Sequence, residues 1–373
     1  MNNTNTTNNI NAKVEKILND FNGNSVLGPE CDVAISSRVR IARNLSDFPF
    51  PVKLNSAGRK KVIETVNNAI KNKNVGRGDP DAPHTEIGDP YEFIDFSSIS
   101  PAETGALMEK RVVSLDFVKS PEEKELIADI KNGLYIMVNE EDHLRIQSIK
   151  PGFAIFEAYG EANKFDNLAD ESLNYAYDEN FGYLTQCPTN LGTGMRVSVM
   201  LHLPILTLNR KIQNITADLS KIGLTIRGFY GEGTEIGGDL YQISNNITLG
   251  ISEEQTLDKI KPVAEKIIEL ERAGRNEIFK SSKDLITDKI KRSYGIIKNA
   301  HMISSSEFLS LYSLIRLGIT YGIIKDIDYK TLDMLLVKVM PANLILQSNN
   351  NSGADINANR DILRAEYIRE VLK

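Results

Sequence analysis

The pattern of apolar and polar residues differs between the first two thirds of the chain and the last third. Short apolar runs of strand length dominate the first part, where glycine-rich or acidic segments separate them. This pattern predicts a strand over 33–44, two strands around an acidic turn over 134–149, and two strands joined by a glycine-rich loop over 224–250.

Helical spacing is present in the first part over 56–74 and 152–177, while the Gly, Pro and Asp content of 76–98 predicts a loop. From about residue 253 onward, one helical pattern follows another with few strand signals. We therefore expect an α+β domain over 23–253 and an all-helical domain over 254–373.

Composition excludes several classes of protein. The 373 residues are 41% hydrophobic and 25% charged, which is typical of a globular protein with a sizeable core. The longest apolar stretch, at 332–346, contains a lysine and a proline and is too short to span a bilayer. The Asn/Thr-rich start has no secretory signal pattern, so we expect a cytoplasmic protein whose residues 1–22 form a disordered tail and lead-in.

Charge and cysteine content narrow the choice further. The formal net charge of −6 argues against a general nucleic-acid-binding protein, although local arginine clusters can still bind phosphate. Cys31 and Cys187 show no metal-ligand spacing and do not form a disulfide framework. Cys187 opens the segment CPTNLGTGMR, which on its own indicates either a buried cysteine before a tight turn and a core strand, or a site residue.

Arginines recur at strand and loop junctions in the first domain. Arg38 and Arg40 are two residues apart, so on a strand they share a face, where two like charges repel unless an anion lies between them. Guanidinium groups bind phosphate oxygens in bidentate fashion, which favours a nucleoside triphosphate as ligand. The sequence contains neither a Walker motif nor the glycine-rich and HRD motifs of protein kinases. The five arginines concerned are Arg38, Arg40, Arg145, Arg196 and Arg227.

Four sequence blocks resemble the phosphagen kinases, the ATP:guanidine phosphotransferases that include creatine and arginine kinase. The blocks are SSRVRIARN, NEEDHLR, CPTNLGTGMR, and RGFYGEGTE followed by YQISN, in the family order over roughly 31–250. The resemblance implies a catalytic domain with a mainly antiparallel sheet flanked by helices. Little sequence precedes Cys31, and together with the segment SVMLHLPILT and the C-terminal NRDILRA this makes the chain most similar to the bacterial protein arginine kinases.

The resemblance also implies roles for individual residues. The five arginines would bind the ATP phosphates and neutralise charge in the transition state. Glu141 and Glu232 would hold the substrate guanidinium, which needs a carboxylate to accept its proton because its nitrogen lone pairs are delocalised. Cys187 would add negative charge beside that guanidinium, and Glu140 and Asp142 would act on ATP-bound magnesium through water.

One departure from the family pattern concerns the nucleotide base. Creatine kinase-like enzymes carry a histidine four residues after the arginine of GTGxR, whereas this chain has Met200, with His202 two residues further on.

The segment NRDILRAEYIRE resembles a phosphoarginine-binding motif of the bacterial protein arginine kinases. On a helix Arg360 and Arg364 share a face, and Asp361 lies three residues before Arg364. The resemblance implies a second, allosteric pocket in which the arginines bind the phosphate and Asp361 the guanidinium. The alternative is an amphipathic terminal helix with ordinary ion pairs.

The resemblance implies a protein arginine kinase that uses ATP and Mg²⁺ and acts in stress response and protein quality control. It also implies a homodimer formed through the helical domain, protein substrates with exposed arginine, and partners similar to the activator McsA, the repressor CtsR and the unfoldase ClpC. Two alternatives are a kinase of a free guanidine metabolite, and a non-catalytic adaptor that binds phosphoarginine.

Overall fold

A single large antiparallel sheet organises the first two thirds of the chain. The computed structural model describes residues 12–20, 27–72, 91–228, 237–347 and 356–373. The strands are β1 (Ala34–Arg43), β2 (Glu92–Asp95), β3 (Glu125–Asp129), β4 (Leu134–Val138), β5 (Leu144–Pro151), β6 (Tyr177–Asp178), β7 (Gly182–Tyr183), β8 (Met195–His202), β9 (Leu224–Gly228) and β10 (Leu240–Asn245). Eight of them form the sheet in the order β2-β3-β4-β5-β1-β8-β10-β9, and β6 pairs with β7.

Helices flank this sheet and make up the last third of the chain. They are α1 (12–19), α2 (Ser56–Asn72), α3 (Pro101–Glu109), α4 (Leu115–Lys119), α5 (Ile155–Asp170), α6 (Pro204–Leu208), α7 (Ile212–Lys221), α8 (Glu253–Ser281), α9 (Lys283–Asn299), α10 (Ser305–Thr320), α11 (Tyr329–Lys338), α12 (Pro341–Gln347) and α13 (Ile356–Val371). The expected mainly antiparallel α+β architecture followed by helices is confirmed.

The two faces of the central strand β1 have opposite character. Val39 and Ile41 are fully buried in the main core, where α5 packs against β1 and β5. Arg38 and Arg40 alternate with them and lie on the other face, as a period of two requires. The alternation of the sequence therefore assigns one face to the core and leaves the other for charged side chains.

Helices cover the arginine-bearing side over the outer strands β2, β3 and β4. There α1, α3 and α4 pack over a second apolar core that includes Phe96, Phe117 and Leu126. Helix α1 contributes Val14 and Ile17, both almost inaccessible to solvent. The sequence analysis did not anticipate this helix within the segment 1–22, because its eight residues follow a polar run.

The helical part starts at Ser252, whose side chain caps α8 together with Gln255 in a capping box. Its core is built by α9, α10, α11 and α13, and it also includes Ile205 and Leu240 from the sheet-bearing part. The two parts of the chain therefore share a packed boundary.

Several local predictions can be compared with these elements. The helix over 56–74 and the strand pairs over 134–149 and 224–250 are confirmed by α2, β4 with β5, and β9 with β10. The loop predicted over 76–98 is wrong at Glu92–Asp95, which forms the edge strand β2 because Ile94 packs into the second core. Within the described residues, we find no helix long and apolar enough to cross a membrane.

Candidate active site

Strand register brings four of the five predicted arginines to one face of the sheet. Arg40 lies directly opposite Arg196 across the β1–β8 pair, and Arg145 lies opposite Ala42, one step along the same face of β1. Arg38 is the next residue on that face in the other direction. Since residues opposite each other have Cβ atoms about 4.5–5.5 Å apart, these cations are held close together.

Arg227 lies at the edge of the same sheet. It is opposite Gln242 in the β9–β10 pair, and Gln242 is opposite Met200 on β8. The Arg227 side chain is exposed, and its charge contributes to lowering the pKa of Arg196. Arg227 therefore completes a row of cations across β5, β1, β8 and β9.

A sixth cation, which the sequence analysis missed, faces this row. Arg111 follows α3 with a left-handed backbone (φ 65°), and its guanidinium lies 3.7 Å from the Met200 sulfur. Gln147 of β5 fixes the turn by donating to the carbonyls of Arg111 and Val112. An arginine in a turn between α3 and α4 gives no periodic signal, so only the packing of α3 identifies it.

The electrostatics of the arginine face indicate an anion site. Burial and then the charges of Arg111, Arg145 and Arg196 lower the pKa of Arg38 to about 9. Burial and the neighbouring arginines lower the pKa of Arg40 as well. Within the described part of the chain, Arg38, Arg40 and Arg196 form no ion pair with a carboxylate. Such a cluster of cations is stabilised by a polyanionic ligand.

The acidic loop between β4 and β5 lies against this cluster. Arg145 donates to Glu140 at 2.7 Å and to Glu141 at 3.3 Å. The Glu140 side chain is 1% exposed and the Glu141 side chain 36%. Burial raises the pKa of Glu141, although Arg145 opposes the shift. Glu141 is thus the carboxylate of this pair that a second guanidinium can reach.

Glu140 and Asp142 are held by protein donors. Glu140 accepts from Ser114 and Arg145 on one oxygen and from the Glu141 amide on the other. Asp142 accepts from the Asn44 side chain at 2.6 Å and from the Gln186 amide at 2.7 Å. Both carboxylates brace the loop, and their predicted action on magnesium through water stays a prediction.

Cys187 lies on the segment that Asp142 fixes. The Gln186 amide donates to Asp142. Gln186 immediately precedes Cys187, and Asp142 immediately follows Glu141. This hydrogen bond therefore holds the cysteine segment next to the acidic loop. The Cys187 side chain is half-buried, and its sulfur lies 3.0 Å from the Thr189 hydroxyl. The segment is a loop rather than core, as a site residue requires. Glu232 lies outside the described residues.

A cavity of about 190 Å³ adjoins the arginine face. Arg38, Arg111, Ser198, Met200 and Gln242 line its charged side, and Arg38 donates to the Gln242 side-chain oxygen at 3.4 Å. On the opposite wall, α11 contributes Met334 and Val337. The cavity is therefore a recess with a mixed apolar and polar lining, next to the arginines that could bind a polyanion.

His202 does not reach the cavity. It is fully buried between its bonds to Ser313 on α10 and Arg275 on α8. His202 lies on the same face of β8 as Arg196 and Met200, but the helical part covers that end of the strand. Met200 is the residue of this pair that lines the recess.

The predicted phosphoarginine motif lies on α13. Arg364 is 1% exposed and donates to the carbonyls of Val339 and Ile303 and to Asp361. These bonds join α13 to two other segments of the helical part. For Arg364, the contacts fit the alternative in which α13 is a structural terminal helix. Arg360 is half-buried. Phosphoarginine binding by Arg360, Asp361 and Arg364 stays a prediction.

Comparisons with known proteins agree with the fold. The family model of the ATP:guanido phosphotransferase C-terminal catalytic domain matches residues 83–274, and that of the protein-arginine kinase McsB C-terminal domain matches residues 283–373. The first match contains Arg145, Arg196 and Arg227, whereas Arg38 and Arg40 precede it.

Similar relatives cover almost the whole chain. The protein-arginine kinase of Caldanaerobacter subterraneus subsp. tengcongensis is 43% identical over 90% of this chain and 96% of the relative. That of Clostridium tetani is 40% identical over 92% of this chain and 96% of the relative.

Solved structures show the same fold. The duplicated taurocyamine kinase of Schistosoma mansoni, solved with bound transition-state-analogue components, has a TM-score of 0.56 and 28% identity over 69% of this chain. The present chain spans only 36% of that duplicated protein. A lombricine kinase has a TM-score of 0.54 and 24% identity over 68% of this chain and 71% of its own.

The antiparallel sheet with its flanking helices is the fold of the guanidine phosphotransferases. The chain belongs to the ATP:guanido phosphotransferase family and, within it, to the protein-arginine kinases.

Proposed function

We propose that this chain transfers the γ-phosphate of ATP to arginine side chains of proteins. The observation that carries the proposal is the juxtaposition of two sites of opposite charge. Arg38, Arg40 and Arg196 form a face for polyphosphate, and Glu141 lies at its border on a loop joined to Cys187. A donor phosphate and an acceptor guanidinium bound at these two places lie next to each other, and proximity of this kind supplies much of the catalysis of phosphoryl transfer.

The arginines act on the phosphates. Arg40 and Arg196, paired across two strands, bind the phosphate chain and neutralise the charge that spreads over the transferring group. Arg145 acts from the next strand, where its bonds to Glu140 and Glu141 fix its orientation. Arg111 and Arg227 close the row at its two sides. Because the positions are set by sheet register, the cations need no rearrangement during the reaction.

The cavity beside Arg38 is suited to the adenosine part of ATP. Met200 and Val337 offer apolar surface to a base, and Gln242 offers an amide that can both donate and accept. The family resemblance implies that magnesium enters bound to ATP. A bound Mg²⁺ neutralises phosphate charge.

Two carboxylates and a thiol act on the acceptor. Glu141 orients the arginine guanidinium from the acidic loop, and its raised pKa suits it to accept the proton that the attacking nitrogen loses. Glu232, which follows β9 in the sequence, acts in the same way, as the family resemblance implies. Cys187 adds negative charge beside the guanidinium.

The test is to incubate the chain with ATP-Mg and a protein mixture and to analyse the products by mass spectrometry for acid-labile phosphoarginine. We expect phosphoarginine on proteins, and we expect Glu141→Gln or Glu232→Gln to remove nearly all transfer while ATP binding by calorimetry persists. Glu122→Gln, at an exposed carboxylate before β3, is the matched control. Faster phosphorylation of free arginine than of protein would favour a kinase of a free guanidine metabolite. ATP binding without any transfer would favour an adaptor.

Family resemblance extends the proposal to regulation and assembly. We infer a cytoplasmic role in stress response and quality control, with partners similar to McsA, CtsR and ClpC. Exposed apolar side chains on α9 and the turn after it support a homodimer through the helical part, namely Leu285, Ile296 and Met302. Light scattering of the intact chain measures this directly, and a monomer at micromolar concentration would contradict it.

The allosteric phosphoarginine pocket is proposed on the same basis. Asp361→Ala with Arg364→Ala should abolish phosphoarginine binding by a Glu232→Gln variant, in calorimetry on folded protein. Because Arg364 also joins three segments of the helical part, Arg360→Gln is the variant that separates binding from folding.

A further inference from the structure

A buried arginine beneath the cysteine loop has no part in the proposed reaction. Arg43, the last residue of β1, is 2% exposed and forms an ion pair with Asp166 of α5 at 2.6 Å. Its guanidinium lies 3.4 Å from the ring centroid of Tyr183. Burying such a pair is costly, and an apolar pair of similar volume is often as stable. The question is what else the charged pair does.

Besides its bond to the neighbouring Ala42 carbonyl, Arg43 contacts the loop between Cys187 and Arg196. Its Nη1 atom donates to the Thr193 carbonyl at 2.9 Å. A Cβ atom on Gly194 would lie 2.9 Å from the same nitrogen, and Gly194 has φ +62°. The Gly194 carbonyl accepts from the Ala42 amide at 2.9 Å. The loop therefore rests directly on the arginine.

Both ends of this loop bear residues of the proposed site. Cys187 lies six residues before Thr193, and Arg196 lies three residues after it, where β8 has just begun. Tyr183, which stacks on Arg43, donates its amide to the Gly192 carbonyl at 2.8 Å. Arg43 thus contacts the loop both directly and through Tyr183, from the side of the sheet opposite to the phosphate-binding arginines.

We propose that Arg43 is a positioning residue for transfer, which fixes the Thr193–Gly194 turn and so sets the places of Cys187 and Arg196. Asp166 keeps the guanidinium oriented toward the Thr193 carbonyl, and Tyr183 holds its plane. The inference rests on the proposed function, because Cys187 and Arg196 are site residues only if the chain is the kinase.

The test separates positioning from stability. We compare wild type, Arg43→Lys, and the double variant Arg43→Met with Asp166→Leu for thermal unfolding and for transfer kinetics well below the unfolding temperature. The double variant replaces the buried ion pair by apolar side chains, so we expect an unfolding temperature within a few degrees of wild type. We expect kcat to fall at least tenfold in it, with the KM for ATP changing less than about threefold, since a displaced loop weakens the transition state more than nucleotide binding.

Arg43→Lys keeps a charge for Asp166 but lacks the planar fork that reaches the Thr193 carbonyl, so we expect a lowered kcat here as well. The matched control is Arg275→Met with Glu271→Leu, a buried ion pair of α8 whose arginine bonds His202 and Asp32 instead of the cysteine loop. Its kcat should stay close to wild type, whatever the substitution does to stability.

Two outcomes would overturn the inference. One is a double variant that is stable and has wild-type kcat, which would show that only burial matters. The other applies if the double variant does not fold: a folded Arg43→Lys protein with wild-type kcat would then overturn the inference. Absence of phosphoarginine products from the wild type in the same assay would instead reject the proposed function.

Discussion

Two groups of arginines in this molecule have opposite surroundings, one buried in the helical part and one half-buried on the sheet face. In the helical part Arg275, Arg316 and Arg364 each bond a carboxylate and at least one main-chain carbonyl. On the sheet face Arg38 and Arg196 meet only neutral side-chain oxygens within the described residues, at 3.4 and 3.3 Å.

The charge balance follows from these contacts. Burial alone would lower the pKa of Arg316, but Asp333 and two tyrosines raise it above its usual value. Burial and neighbouring cations lower the pKa of Arg38 and Arg40. Arginines whose charges are balanced by neighbouring carboxylates are structural. Arginines crowded together without carboxylates are arranged to bind a ligand from outside.

The strongest test of this comparison is Arg40→Gln. We expect transfer to fall by about three orders of magnitude or more, the range for an arginine that stabilises phosphoryl transfer. The unfolding temperature without nucleotide should stay the same or rise, because the substitution removes repulsion from Arg38 and Arg196. Initial rates with ATP-Mg and thermal scans measure both. The control is Arg292→Gln on the exposed face of α9. A destabilised but active Arg40→Gln variant would contradict the assignment.

The converse test is Arg316→Met in the helical part. It leaves Asp333 without its ion pair and the Cys31 carbonyl without a donor. We expect the free energy of unfolding to fall by about 3–5 kcal/mol. Urea unfolding at neutral pH measures this, and Asp333→Leu in the same chain should restore much of the loss. A fall below about 1 kcal/mol for the single variant would mean that the pair is not structural.

The sequence predicts the arginines of the proposed site, but not all of the residues that surround them. Residue spacing alone placed Arg38 and Arg40 on one face of a strand, because side-chain alternation is local. That Arg196 lies opposite Arg40 depends on the register of two strands distant in sequence, which no local pattern determines. The family resemblance, rather than residue spacing, predicts that Arg145 and Arg196 belong to the same site.

Other features depend on tertiary packing and were not predictable locally. Arg111 lies beside Met200 because α3 packs over the outer strands and Gln147 of β5 holds the turn that follows α3. Glu140 resembles its neighbour Glu141 in sequence, yet Ser114 and Arg145 bury it. The sequence predicts a loop where the edge strand β2 lies, because four residues beside a Gly- and Pro-rich segment are too few to show an alternation of apolar and polar residues.

A smaller effect distinguishes the two readings of Cys187. As an electrostatic group on a loop, Cys187→Ala should slow transfer about tenfold to a hundredfold and change the unfolding temperature by no more than about 2 °C. The structure gives its thiol one hydrogen-bond contact, to Thr189 at 3.0 Å. Thr189→Val, which removes that contact and keeps the thiol, is the control and should retain most activity. A Cys187→Ala protein that unfolds at low temperature but has normal activity below it would favour a structural cysteine.

The smallest effect concerns His143, a potential cation beside the acidic loop that the fold keeps neutral. Its Nδ1 atom accepts the Leu45 amide at 3.0 Å, and burial followed by the charge of Arg59 lowers its pKa to about 4. Between pH 6.5 and 4 the unfolded chain therefore binds more protons than the folded chain, so the contribution of His143 to stability is full above pH 6.5 and is lost as the pH falls.

We expect that loss to be about 1–2 kcal/mol between pH 6.5 and 4.5. His143→Asn retains a side-chain oxygen to accept the Leu45 amide but does not titrate, so the difference between the two proteins in urea unfolding isolates the histidine. The difference in unfolding free energy should shrink on acidification. A difference that is independent of pH would mean that His143 titrates alike in the folded and unfolded chains. The fold would then tolerate a buried cation that neither forms an ion pair nor is positioned to bind a ligand.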